Sequence, residues 1–301
     1  MNPVAITVRV PATSANLGAG FDCLGLALDL FASIRVTFSD CVQPPTDDVG
    51  EKMVLTAIRT TYARLGKASP EGVSVKYTLA IPLGRGLGAS AVARVAGVLA
   101  VNELEGHPLG PEDCMAIASD LEGHGDNACP AMFGGMQVCV GGDGKYLRVP
   151  CRYPAEAAMA ILIPDHPMPT KEARKTLPEM YSKADAVHNL GRAALFVAAM
   201  AASRFDALDE ATQDRIHQPQ RASLFPPLFD VFAAAKGAGA YAAWLSGAGS
   251  SVAAICSPDR ARDASQAMLA TLQAAGMTGR SLVTRIAATG AEVATVELVQ
   301  E

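Results

Sequence analysis

The chain has 301 residues, half of them hydrophobic and only 5% aromatic, with a formal charge of −5. That length can bury an aliphatic core in one large or two medium domains. The acidic balance, without any Lys/Arg cluster, argues against nucleic acid as a partner, and the longest apolar stretch, Ala193 to Ala202, is too short to span a bilayer.

In chain order, Val4, Ile6, Val8 and Val10 alternate with Ala5, Thr7 and Arg9, the period of a half-buried strand. The opening segment has no charged stretch followed by an apolar block, so a cytoplasmic protein is expected. A second strand is read over 28–38. Residues 48–66 read as a helix with Val54, Leu55, Ile58, Tyr62 and Leu65 on one face. Val73, Val75, Tyr77, Leu79 and Ile81 then alternate with Ser74, Lys76, Thr78 and Ala80. Helices are expected over 89–104 and 110–123, the latter with Pro111 at its first position and Gly123 at its stop. The strand MQVCVGG closes this half.

Past residue 155 the pattern changes. AAMAILIP reads as a buried strand, TKEARKTLPEM and the segment from Lys183 to Phe205 as helices. A Pro-rich turn leads to a short helix, to AYAAWLSGAGSSVAAIC, to a helix near 258–276 and to a strand hairpin over 281–298. The expectation is two α+β domains, 1–155 and 156–301, each an antiparallel sheet backed by helices. Seven scattered cysteines, with no C-x-x-C pair, read as free thiols in a reducing compartment.

The chemistry centres on PLGRGLGASA, residues 82–91, a glycine-rich loop between a strand and a helix. Glycine allows a tight backbone path, and a helix N-terminus offers unpaired N–H groups and a positive dipole end. A Walker A string is absent. A dinucleotide fingerprint would use Gly84 and Gly86 with Glu103 or Glu105, but the spacing is wrong and the preceding strand alternates like a half-exposed one. A turn without a ligand stays open, although Ser90 beside three glycines suits a phosphate with Mg²⁺ better.

At these residues the chain resembles the GHMP kinases. Pro82, Gly86, Leu87, Gly88, Ser90 and Ala91 match the loop P-x-x-x-G-L-G-S-S-A, with Ala89 in place of the first serine. VRVPATSANLGAGFDCLGLAL is similar to the first motif, and to the homoserine kinase form in particular, with Ala19 for a proline. SGAGSSVAAIC is similar to the third. The resemblance implies the two-domain GHMP fold, a ribosomal-S5-domain-2-like half followed by a ferredoxin-like half. It further implies ATP and Mg²⁺ as cofactors, L-homoserine as phosphoryl acceptor on the way to threonine, and a homodimer.

It also implies roles for individual residues. Pro82, Leu83, Gly84, Arg85, Gly86, Leu87, Gly88, Ala89 and Ser90 would hold the phosphates, and Ser90 with Glu122 the metal. On residue type alone Glu122 could equally be a solvated helix end and His124 a turn residue, yet a carboxylate at a helix C-terminus is electrostatically disfavoured unless a cation offsets it. In LEGHGDNACPA, His124, Asp126 and Asn127 would face the substrate, as would Asn16 and Asp22. Thr170, a natural N-cap by type, and Arg174 share a helix face and would approach the reacting groups, with Asp22 the one candidate base. Arg221 would grip a carboxylate bidentately, although Gln218 and Gln220 replace the family's acid and aromatic. EKMV stands where an adenine-contacting Asn-Leu pair is common, so no adenine residue is named. A sister kinase acting on threonine, or a silent metabolite sensor, remain alternatives. Retention of Ser90, Glu122 and Arg174 argues against the sensor.

Overall fold

The computed structural model describes residues 3–79 and 81–299. Ala80, part of the expected alternation, lies outside the described residues. The first half is built on a six-stranded antiparallel sheet. Its strands β1 (Val4–Ala15), β2 (Leu24–Ser39), β3 (Gly72–Leu79), β4 (Met136–Gly142), β5 (Lys145–Cys151) and, from the chain's end, β10 (Glu292–Leu298) run in the order β10-β1-β2-β4-β5, with β3 also pairing with β2. In β1 the side chains of Ile6, Val8 and Val10 are buried and Arg9 is exposed, as the alternation requires. The strand runs on through Pro11, where the register against β2 shifts between Pro11 and Thr13. A register shift accommodates a residue that has no N–H to give to the ladder.

Helices α1 (Val49–Arg64), α2 (Ala89–Leu104), α3 (Pro111–Glu122) and α4 (Ala128–Phe133) complete this half. Asp48 caps α1 by accepting from the Glu51 amide at 2.8 Å. Helix α3 begins at Pro111 and stops at Gly123 as expected, with Gly123 left-handed at φ 83°.

The second half is a four-stranded antiparallel sheet, β7 (Ala242–Leu245), β8 (Val252–Cys256), β6 (Ala158–Pro164) and β9 (Gly279–Arg285), in that order. Every residue of β6 is buried, which fits its continuous apolar run. The helices here are α5 (Thr170–Lys175), α6 (Lys183–Ala201), α7 (Leu208–Ala211), α8 (Gln218–Arg221), α9 (Leu228–Gly237) and α10 (Ala261–Ala274).

Three expectations need correction. The segment 281–298 is not a hairpin: β9 pairs with β6, whereas β10 pairs with β1 in the other sheet. The chain therefore passes from first sheet to second near residue 155 and returns at residue 292. The helix expected over 170–180 ends at Lys175, because Pro178 disfavours helical geometry in the residue before it. MQVCVGG does not close the first half, because β5 follows it and pairs with it at the sheet's edge.

One apolar core spans both halves, since Ile6, Leu26, Val95, Ile161, Phe196 and Trp244 belong to a single cluster. Trp244 meets Phe196 edge-on at 5.8 Å and donates its indole N–H to Ser14 Oγ at 3.0 Å. The cleft described next lies along this seam. No described helix is long and apolar enough to cross a membrane.

Candidate active site

The glycine loop carries its backbone in left-handed conformations at Gly84, Gly86 and Gly88, with φ of 65°, 73° and 69°. Side chains would also collide there. A Cβ on Gly86 would stand 2.0 Å from the Ser246 carbonyl oxygen, and one on Gly88 would stand 1.9 Å from Thr13 Oγ1. Both positions demand glycine.

The carbonyls of residues 84–87 are turned to the protein. Gly84 O accepts from the Met168 amide (2.9 Å), Arg85 O from the Ser251 amide (3.0 Å) and Leu87 O from the Thr13 amide (3.1 Å). Gly86 O accepts from Ser246 Oγ at 2.7 Å. The amides of Gly86, Leu87 and Gly88 donate to no described residue. With α2 starting at Ala89 directly behind them, they form a nest of N–H groups at a positive helix end, the arrangement that binds phosphate.

Ser90 and Glu122 meet as expected, although they come from different helices. Ser90 Oγ donates to Glu122 Oε2 at 2.9 Å, and the Glu122 side chain is only 9% exposed. A hydroxyl and a carboxylate beside a phosphate nest suit a hard divalent cation, so the donors fit Mg²⁺. The sequence reading missed the third member. Arg94, one turn beyond Ser90 on α2, ion-pairs with Glu122 Oε1. Burial lowers the Arg94 pKa, with Glu122 opposing that fall. Spacing could have revealed it, because Ser90 and Arg94 at i and i+4 share a helix face.

Asp22 and Arg174 form a fork. Arg174 Nη1 donates to Asp22 Oδ2 at 3.0 Å and Nη2 to Oδ1 at 2.6 Å, joining the first half to α5 of the second. Burial alone would lower the Arg174 pKa, but bonding to Asp22 outweighs it and the net shift is upward. Both Asp22 oxygens are occupied, so the carboxylate is a counter-charge here rather than a free base. Thr170 does not cap its helix: Pro169 is the N-cap residue, Thr170 is the first helical residue, and no side-chain cap bond is made. Asn16 is held by backbone, its Nδ2 donating to Gly247 O at 2.8 Å and its Oδ1 accepting from the Asp22 amide at 3.0 Å.

His124 Nδ1 lies in direct contact with Asp126 Oδ1, both side chains nearly buried. Burial would lower the His124 pKa, but the Asp126 charge prevails and raises it. Asn127 accepts from Thr13 Oγ1 at 2.7 Å. Asp22, His124 and Asp126 can bring one ligand atom each within 4.8 Å of one another. Arg174 and His124 already face those two carboxylates, so this cluster reads as a polar pocket rather than a second metal site.

Arg221, on the one-turn helix α8, is 1% exposed. Its Nη1 donates to Gly247 O at 3.0 Å and to His217 Nδ1 at 3.1 Å. No described carboxylate ion-pairs with it, and Nε has no partner among the described residues. Burial first, then the charge of Arg174, brings its pKa down to about 10. The Phe21 ring lies 5.3 Å from the Arg221 guanidinium and 5.4 Å from that of Arg174. A buried cation with an unpaired fork is costly unless an anion completes it.

The glycine loop, Ser90, Arg94, Glu122, Asp22, Arg174, His124, Asp126, Asn127 and Arg221 line one cleft of about 660 Å³, together with Lys171 and the apolar Val49, Met53 and Leu83. Of the expected site residues, Pro82 alone does not reach its wall. The arrangement can hold a polyphosphate on the nest, a cation at Ser90 and Glu122, and a small zwitterion between Arg221 and the Asp22, His124 and Asp126 group.

Comparison with known proteins follows the same lines. Residues 52–135 match the family described as GHMP kinases N terminal domain, and residues 191–274 match GHMP kinases C terminal. A homoserine kinase of Desulfitobacterium hafniense is 38% identical over 299 residues, covering 96% of this chain and 99% of that protein. One from Deinococcus radiodurans is 42% identical over 256 residues, covering 82% of each chain. The crystal structure of a homoserine kinase from Cytophaga hutchinsonii superposes with a TM-score of 0.86 at 30% identity, covering 96% of this chain and 97% of the other.

Proposed function

The chain belongs to the GHMP kinase family, and we propose that it is a homoserine kinase, moving the γ-phosphoryl group of ATP onto the hydroxyl of L-homoserine. The observation that carries the substrate is Arg221, a guanidinium 1% exposed, with no described carboxylate partner, in the same cleft as the phosphate nest. A sugar or mevalonate site has no need of both an anion grip and a cation pocket. An amino acid needs both, its carboxylate pairing bidentately with Arg221 and its ammonium lying toward the Asp126 and Asp22 carboxylates.

Phosphoryl transfer asks for positioning and charge neutralisation more than for covalent chemistry. The amides of Gly86, Leu87 and Gly88 donate to phosphate oxygens, and Val49, Met53 and Leu83 offer an apolar wall of the same cleft for the adenine ring. Ser90 and Glu122 would hold Mg²⁺, which when bound neutralises the β- and γ-oxygens. Arg174 offsets charge on the transferring group from its place beside Asp22. Among the described residues of the cleft no carboxylate stands free to act as base, since Arg174 occupies Asp22 and His124 occupies Asp126. The hydroxyl proton then passes to the phosphate itself. A cytoplasmic homodimer serving threonine formation belongs to the same proposal, and light scattering on a sizing column tests the dimer.

The function is tested by coupled ADP release with homoserine, threonine, serine, mevalonate and galactose. Homoserine should give the highest kcat/KM. Preference for threonine would mark a sister kinase, and turnover with none of them would mark a metabolite sensor.

A further inference from the structure

Arg221 is held in an unusual way for a buried cation. Its Nη1 carries two hydrogens, and both go to neutral acceptors, the Gly247 carbonyl and the His217 imidazole. His217 is fully buried, with Nε2 at 2.8 Å from the Gly18 carbonyl. A carbonyl only accepts, so Nε2 bears the proton and Nδ1 presents its lone pair to Arg221. Stacking on Phe21, with centroids 5.3 Å apart, fixes the ring plane. Behind it, Asp214 accepts from the amides of Ile216 (3.0 Å), His217 (2.8 Å) and Gln218 (2.6 Å) and from Asn189 Nδ2 (2.6 Å), pinning the start of α8.

We propose that His217 is a positioning residue for substrate recognition: its neutral imidazole holds one end of the Arg221 fork without neutralising it, so that the guanidinium stays oriented and charged, with no protein carboxylate satisfying it, for the carboxylate of the amino-acid substrate. A carboxylate at residue 217 would orient the fork equally well but would satisfy the cation and remove its appetite for an anion. An apolar residue would leave the guanidinium charged but unaimed. A neutral acceptor alone does both tasks. Burial, with the Asp214 charge opposing and the Arg221 charge assisting, brings the His217 pKa down to about 4, so the imidazole stays neutral over the working range. The inference rests on the reading that Arg221 takes the substrate carboxylate.

Steady-state kinetics with homoserine and with 3-aminopropan-1-ol, the same alcohol and amine without the carboxylate, test it. His217→Phe keeps the stack on Phe21 and deletes the lone pair. It should raise KM for homoserine by about tenfold or more, leave KM for ATP unchanged, and leave kcat/KM for 3-aminopropan-1-ol near the parent value. His217→Gln, which restores an acceptor oxygen, should recover most of the homoserine KM. Equal losses with both alcohols, or an unchanged homoserine KM in a folded His217→Phe protein, would overturn the assignment. A readout independent of any variant comes from ¹⁵N spectra of the parent, where His217 should show a bare, hydrogen-bonded Nδ1 and a protonated Nε2 between pH 6 and 9. A protonated Nδ1 there would refute the clamp even if the variants fail to fold. Arg221→Ala separates the two levels of the argument: if it leaves the homoserine KM unchanged, the carboxylate reading itself is wrong, whereas a large rise there with no effect of His217→Phe sinks the clamp alone.

Discussion

Glu122→Gln is the most informative single substitution, because Glu122 joins the phosphate nest to the metal chemistry. The change preserves size and keeps an oxygen able to accept from Ser90 Oγ, now 2.9 Å away. It removes the negative charge that Arg94 faces, with side-chain exposures of only 19% for Arg94 and 9% for Glu122. Breaking a fully buried pair costs about 3–5 kcal/mol, and this one is partly solvated. Relief of a carboxylate at the C-terminus of α3 returns about 0.3–1 kcal/mol. A net stability loss of about 1–3 kcal/mol is therefore expected, seen as a lower Tm in a circular dichroism melt of a protein still folded at 25 °C. The kinetic effect should be separable and larger. Removing about 3 kcal/mol of transition-state charge stabilisation lowers kcat on the order of 10²-fold. The assay is coupled ADP release at saturating Mg²⁺ and homoserine, on the same preparation used for the melt. Ser90→Ala should act in the same direction, and the double variant should lose less than the sum if the two residues share one ion. Turnover of Glu122→Gln within about threefold of the parent would refute the metal assignment, since a lost ligand costs far more than that.

Gly86→Ala places a methyl 2.0 Å from the Ser246 carbonyl at a φ of 73°, so it should destabilise the loop and raise KM for ATP at least about tenfold, with the homoserine KM changing much less. Arg94→Gln deletes the internal cation that Glu122 holds and should lower the Mg²⁺ concentration for half-maximal activity, read by a Mg²⁺ titration at fixed ATP; a higher requirement would show that Arg94 contributes to binding rather than competes. His217 governs an acid limb of stability. Its folded pKa of about 4 lies below the ordinary 6.5, so the unfolded chain takes up the proton first as pH falls, and stability is full above 6.5 and is lost progressively toward pH 4. Urea melts should lose on the order of a few kcal/mol across that window, and His217→Gln should flatten the slope; an unchanged slope would place the titration elsewhere.

Much of the site could be read in advance because its constraints are local. Three glycines before a serine announce left-handed backbone at a helix start, and φ values of 65°, 73° and 69° are what that loop adopts. Glu122 and Arg174 were singled out by the resemblance to the GHMP kinases, and both lie on the wall of the cleft. Long-range placement was not legible. The last two strands look like a hairpin in sequence, yet one belongs to each sheet, since pairing partners 115 or more residues away decide the matter. Arg94 escaped notice because an arginine in an Ala/Val-rich helix reads as solvated until a carboxylate from α3 is brought beside it. His217 read as part of a Pro-rich turn, and only the approach of Gly18 and Arg221 reveals its tautomer. Thr170 has the residue type of a cap, whereas Pro169 holds that position and Thr170 stands on the cleft wall.

The central claim is transfer of phosphate from ATP to a side-chain hydroxyl of an amino acid held by its carboxylate, and ³¹P NMR of the reaction mixture tests it most directly. With ATP, Mg²⁺ and L-homoserine, the spectrum should show one new phosphomonoester resonance, coupled to the methylene protons of the substrate side chain, growing in step with ADP. Inorganic phosphate growing in step with ADP, with no phosphomonoester, would contradict the account, because the cleft would then hydrolyse ATP without presenting the amino-acid hydroxyl to it.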